Sequence, residues 1–374
     1  MEKSREVLLK LVRMAMGWES DFSLPDGIDW KEVLTLSKEQ AVSPIVVDGY
    51  ELYLKHNPDA QSFFETDKKL RTMVGGTFLI DRTNLKQAKV LQILAGILHG
   101  KQIPFMIMKG FACARYYPVP ERRFCGDIDI YPGDLYDQSN LALKEAGVQV
   151  IPYYYRHSAS VINSVMIENH RVLGDLRGPA RQTQAFEALL EEEAKQSIRA
   201  GGSVQVMGQD IPGAVFPSAD FNVLFLPWHV SAHLAFEKVT VRQLLDWALF
   251  LTHDGRQIDI QKFRDAKKRY TYGYSKMADV LTNLSLRYLK MPEDVIPGEI
   301  AEDAKNTDNC LADRVLDYMF SGQMRDRGRN IWEARWNNVK QVWRERWKYR
   351  DIFGLSPLGF LWYKTLGAIN KVGE

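Results

Sequence analysis

Lys109-Gly110 and Asp127-Ile128-Asp129 are the two groups of residues in this chain whose types and spacing fit one piece of chemistry. On a β-strand, residues two apart project to the same face. Asp127 and Asp129 would then hold their carboxylates side by side, with Ile128 turned behind them. Two adjacent carboxylates repel each other unless a cation lies between them. Mg²⁺, or Mn²⁺ in its place, suits such a pair, because it takes one or two carboxylates together with substrate phosphates. Seventeen residues before Asp127, the apolar run Pro104-Phe105-Met106-Ile107-Met108 ends in Lys109-Gly110. A continuous apolar run of that length is the mark of a buried strand. A short helix starting at Gly110 would offer free N–H groups to an anion, and glycine lets the backbone approach closely. Lys109, with Arg122 or Arg123, adds positive charge for a triphosphate.

Other reactive residues are less well equipped. His229 and His233 lie four apart, so they share a helix face. Val230 stands where a zinc-dependent hydrolase motif needs glutamate, and no third ligand is evident. Packing, or lining of the cleft, is the expected role. Cys113 and Cys125 flank the candidate site without a paired base, which argues against a thiol nucleophile.

The elements that must position these groups are mixed. The chain has 374 residues, 45% apolar and 26% charged, which is ordinary globular usage. Its formal charge of +2 gives no global bias toward nucleic acid or membrane. Three cysteines without CxxC spacing make neither a disulfide framework nor a structural zinc site, so a reducing cytoplasm is expected. No stretch reaches the roughly 18 apolar residues of a membrane span. The N-terminus reads as an amphipathic helix, and Asp29 as the N-cap of the next. A long helical stretch, about 63–100, has Gly75-Gly76 as a kink and His99-Gly100 as its end. Strands are expected near 104–108, 127–131 and 148–151, with one or two more in 160–173 and hairpin-like alternation in 202–209. Helices are expected over 110–117, 135–146, 185–198, 221–237 and 241–253, and from 259 to the end. The reading is an α+β protein: a small mixed β-sheet core, 101–215, embedded between helical parts, 1–100 and 216–374.

Strand, glycine, helix and then Asp-x-Asp on the next strand resembles the nucleotidyltransferase superfamily of the DNA polymerase β type. Lys109-Gly110, Tyr117-Pro118-Val119-Pro120 and Arg123 through Asp129 look closer still to a bacterial branch of uncharacterised nucleotidyltransferases. In the wider superfamily a Gly-Ser or Gly-Gly pair stands where this chain has Gly110-Phe111. The resemblance implies a third carboxylate on a later strand, and Glu168 in Val165-Met-Ile-Glu168-Asn-His170 is the candidate. It also extends to Leu226 through His233 and to Arg242 through Asp246. By this resemblance Asp127, Asp129 and Glu168 hold Mg²⁺ or Mn²⁺. Lys109, Gly110, Arg123 and His170 contact a nucleoside triphosphate, and a nucleotidyl group passes to an acceptor hydroxyl with release of pyrophosphate. The acceptor is left open among protein, RNA, sugar and small molecule.

Two other readings stay open at this point. One is a module of the same fold that binds nucleotide or a partner without transfer. The other places the activity in the tail, where 323–350 carries nine Lys and Arg against three Asp and Glu. There Trp332, Trp336, Val339, Trp343 and Trp347 recur at steps of three and four, an apolar helical stripe in a basic surround. Such a segment contacts an anionic surface, lipid or RNA, or packs on the protein's own core.

Overall fold

The computed structural model describes residues 2–19, 23–58, 67–153, 156–174, 178–321 and 331–369. Strand alternation sets the site. In β1 (Phe105–Ile107), Phe105 and Ile107 face one apolar cluster, while Met106 and the following Met108 face another. In β2 (Ile128–Tyr131), Ile128 and Ile130 enter the first of these clusters, beside Leu91 and Leu94 of the Phe78–His99 helix. The two-residue period therefore turns Asp129 to the opposite face. Val165 and Ile167 of β5 (Val165–His170) are buried in the same cluster as Ile128, which sends Glu168 and His170 the same way as Asp129.

The six-stranded sheet has the order β3-β4-β5-β2-β1-β8, with β3 at Val150–Tyr153, β4 at His157–Ile162 and β8 at Ala214–Val215. Strands β2 and β5 run parallel, as do β1 and β8, and the remaining neighbours are antiparallel. Asn163 and Ser164 both have positive φ, as a two-residue I′ hairpin requires, and they set the β4–β5 register at Ile162 opposite Val165. A separate hairpin, β6 (Ser203–Val206) with β7 (Gln209–Pro212), turns at Met207-Gly208 in the same way. The architecture is α+β, with helices before and after the small mixed sheet.

The N-terminal and C-terminal helices share one core on the site's side of the sheet. Asp29 caps the Trp30–Glu39 helix by accepting from the Glu32 N–H. Gln40 then ties three elements together: its Nε2 donates to the Met319 carbonyl, and its Oε1 accepts from the Val241 N–H. Gly75 and Gly76 end one helix, Lys68–Gly75, and the Phe78–His99 helix starts anew after Thr77, a break rather than a kink. Residues 63–66 of that expected stretch lie outside the described residues.

Two helices wall the site. Ala219–Phe236 is apolar nearly all round and largely buried, as a central helix must be. Pro227 cannot donate to the Val223 carbonyl, and the Tyr274 hydroxyl donates to that carbonyl instead, at 3.3 Å. The Val241–Asp254 helix opens with a capping box, Thr240 with Gln243, an arrangement worth about 1 kcal/mol. No helix among the described residues is long and apolar enough to cross a membrane.

Candidate active site

Lys109, Gly110, Asp127, Asp129 and Glu168 line one cavity of about 230 Å³, closed on the far side by His229, His233, Arg242 and Asp246. Asp129 and Glu168 are directly opposed across the parallel β2–β5 ladder. Asp129 is buried, and its Oδ1 accepts from Lys109 Nζ at 2.9 Å and from His170 Nε2 at 2.8 Å. Neither bond uses Oδ2. His170 Nε2 also lies 3.4 Å from Glu168 Oε2, and His157 Nε2 lies 3.5 Å from Glu168 Oε1.

The electrostatics follow from this packing. Burial pushes the Asp129 carboxyl up, but Lys109 and His170 outweigh it and hold the group well below its ordinary range. The His170 bond lowers Glu168, against burial and Asp129. Asp127 moves the other way: partial desolvation, then Glu168 and Asp129, raise its pKa, with Lys109 only partly opposing. Asp127 is exposed to the cavity and makes no hydrogen bond or ion pair to the described residues.

The donor set fits a hard divalent cation. Asp129, Glu168 and His170 each bring one ligand atom to within 4.8 Å of the others. Asp127 adds a carboxylate that its like-charged neighbours disfavour, a repulsion that a cation would relieve. The tight cluster thus contains His170 in the position where the sequence reading had Asp127, which stands beside it on the same cavity wall.

Lys109 precedes the Gly110–Ala114 helix with φ 47° and ψ −116°, a conformation that L-residues seldom adopt. That backbone turns the ammonium back to Asp129. At Gly110 a Cβ would meet the Asp127 carbonyl at 3.7 Å and Cys125 Cβ at 3.9 Å, ordinary contact distances. The unusual backbone is therefore at Lys109, one residue earlier than the glycine suggested. Phe111 is buried in the apolar cluster behind the sheet and is absent from the cavity wall. Its bulk packs the core and takes no space from a ligand.

Arg123 is buried and bidentate to Asp246, Nε to Oδ1 at 2.8 Å and Nη2 to Oδ2 at 2.7 Å. Its Nη1 donates to the Phe124 carbonyl at 3.1 Å and lies 3.7 Å from Cys125 Sγ, and the Tyr117 hydroxyl donates to Asp246. Arg123 reaches the cavity wall with its donors already engaged in the protein. Arg122 pairs with Asp48 and Asp81, outside the cavity. Burial pushes the Cys113 thiol up to about 12 and raises Cys125 as well, so neither is a thiolate.

Three residues at or beside the cavity were given no role by the sequence. His157 reaches Glu168 only through cross-strand pairing with His170. Arg242 carries a buried Nε without a hydrogen-bond partner, and burial together with Arg123 lowers its pKa. Asp246 is the buried counter-ion of Arg123. In the tail, Trp336, Val339 and Trp343 of the Ile331–Arg344 helix are exposed, whereas Trp347 packs on the core. The side chain of Trp332 lies outside those described.

Residues 26–274, about two thirds of the chain, match the protein family described as "Uncharacterised nucleotidyltransferase". No curated protein and no solved structure matches the chain. The matched stretch holds every residue of the cavity, from Lys109 to Asp246. On that ground the chain belongs to the uncharacterised nucleotidyltransferase family.

Proposed function

We propose that this protein is a divalent-cation-dependent nucleotidyltransferase that joins a nucleotidyl group from a nucleoside triphosphate to an acceptor hydroxyl and releases pyrophosphate. The carrying observation is the meeting of Asp127, Asp129 and Glu168 with Lys109 in one cavity. Asp127, the Oδ2 side of Asp129, and Glu168 hold Mg²⁺ or Mn²⁺, with His170 orienting both Asp129 and Glu168. When bound, the ion supplies charge stabilisation at the phosphoryl oxygens and acidity at the acceptor oxygen. Lys109 and the Gly110 N–H face the β- and γ-phosphates, and Arg242 adds a second cation from the opposite wall. Arg123 supports the nucleotide side indirectly, by fixing Asp246 and the helix that carries Arg242. Rate enhancement then rests on positioning and charge stabilisation.

The test is incubation with each of the four α-labelled NTPs, Mn²⁺ and a cell extract. Label on an acceptor, lost in Asp127→Asn, is the expected result. Nucleotide retained without any transferred label would favour the binding-module reading.

A second reading concerns the tail. The exposed indoles of Trp336 and Trp343, with the exposed Lys340 and Arg344 on the same helix, favour contact with an anionic lipid surface over burial in the core.

A further inference from the structure

We propose that His229, His233 and Glu237 form a proton relay that takes the acceptor's hydroxyl proton at His229 Nδ1 and delivers it to solvent at Glu237. This rests on the nucleotidyltransferase reading above and assigns it a base outside the carboxylate cluster.

The hydrogen-bond chain determines its own tautomers. His233 Nδ1 lies 2.8 Å from Glu237 Oε2, a carboxylate whose side chain is 66% exposed. A carboxylate accepts only, so a neutral His233 carries its proton on Nδ1 and leaves a lone pair on Nε2. His233 Nε2 lies 3.1 Å from His229 Nε2, a distance that needs one proton between the two nitrogens. His229 therefore carries its proton on Nε2, and its Nδ1 keeps a lone pair. That Nδ1 has no hydrogen-bond partner among the described residues, and the half-buried residue lines the cavity that holds Asp127, Asp129 and Glu168. Phe225 stacks on the His229 ring at 5.5 Å and fixes its plane.

The carboxylates are poor alternatives as bases. Asp129 is engaged by Lys109 and His170, Glu168 lies against His170 and His157, and Asp127 is left for the ion. His229 faces His233, Lys109, Asp129 and Arg242. Burial, His233 and Lys109 keep it neutral, as a base must be before it acts. A buried imidazolium would be costly, and the relay avoids one by passing the charge outward as the proton arrives.

In the step itself, the acceptor oxygen forms a bond to the α-phosphorus, and the bond from that phosphorus to the pyrophosphate oxygen breaks with its electrons. The acceptor proton moves to His229 Nδ1. The His229 Nε2 proton moves to His233 Nε2, and the His233 Nδ1 proton moves to Glu237 and then to water.

Two measurements test this. A long-range ¹H–¹⁵N spectrum of the imidazoles at pH 7.5 should show His229 as the Nε2–H tautomer in the full-length protein, and should lose that single tautomer in His233→Asn. A predominant Nδ1–H form of His229 would overturn the relay whether or not the protein is an enzyme. Pyrophosphate release from ATP with Mn²⁺ and extract should fall about 100-fold in His229→Asn, while binding of a non-hydrolysable ATP analogue stays within about twofold. Glu237→Gln should fall less and shift the pH profile. Undiminished release in His229→Asn would refute the assignment, whereas failure of the wild-type protein to bind the analogue would instead refute the nucleotidyltransferase reading.

Discussion

Lys109 Nζ and Asp129 Oδ1 are joined at 2.9 Å across the gap between the end of β1 and the middle of β2, with the lysine backbone at φ 47°. In the proposed function the pair joins the carboxylate that would hold the ion to the ammonium that would face the phosphates, so a change at one is expected to be felt at the other.

Replacing Lys109 tests that coupling. Asp129 is depressed in the folded state, so its favourable contribution is present above the ordinary carboxylate pKa of about 4 and is lost as pH falls toward the folded value. Lys109→Met leaves a buried carboxylate with His170 alone, and the ion-free protein should lose about 3 kcal/mol at neutral pH. Mn²⁺ should restore part of the loss. Lys109→Gly also removes the ammonium but suits the positive φ, so it should be more stable than Lys109→Met by about 1 kcal/mol. Urea unfolding of the two variants, with and without Mn²⁺, measures both effects.

Asp127 has the opposite sign. Its folded pKa is raised, so the ion-free fold loses stability as pH rises from about 4 through the raised value. Asp127→Asn should therefore stabilise the ion-free protein at neutral pH, by less than about 1 kcal/mol because the group is exposed and screened. Thermal unfolding without divalent ions should show a higher midpoint for the variant at pH 7 and no difference at pH 3. The same variant should bind Mn²⁺ poorly.

Arg123 and Arg242 should separate folding from binding. Removing Asp246 or Arg123 breaks a buried bidentate pair and should cost about 3–5 kcal/mol. Arg123→Lys cannot restore the fork and should behave nearly as badly. Arg242→Ala should leave the free energy of unfolding within about 1 kcal/mol and weaken the ATP analogue about tenfold. Calorimetry of unfolding and of binding distinguishes the two outcomes.

What the sequence conveyed was local. The alternation Asp127-Ile128-Asp129 was enough to put both carboxylates on one wall, because Ile128 is buried behind them. The β4–β5 hairpin was half legible: one or two strands were expected in 160–173, but the start of β4 at His157 was hidden in the polar stretch before them. The two-residue β8 is too short for any periodic signal. Partnerships across the chain were not legible. Arg123 finds Asp246 123 residues away, and only the docking of the Val241–Asp254 helix brings them together. The tryptophan spacing marked a stripe, but which side of it faces outward depends on the helices beneath.

The tail can be tested without disturbing the core. Val342, Tyr349, Ile352, Phe353 and Phe360 are buried, so truncation would open the fold. Trp336→Ser with Trp343→Ser should keep the unfolding midpoint and lower retention on vesicles containing phosphatidylserine. Equal retention of wild type and variant would remove the lipid reading.

The most direct measurement is calorimetric titration of the full-length protein with a non-hydrolysable ATP analogue in Mn²⁺ and in EDTA. Binding that requires Mn²⁺ and disappears in the Asp127→Asn, Asp129→Asn double variant is the predicted result. Equal affinity with and without the ion, or in the double variant, would contradict the account.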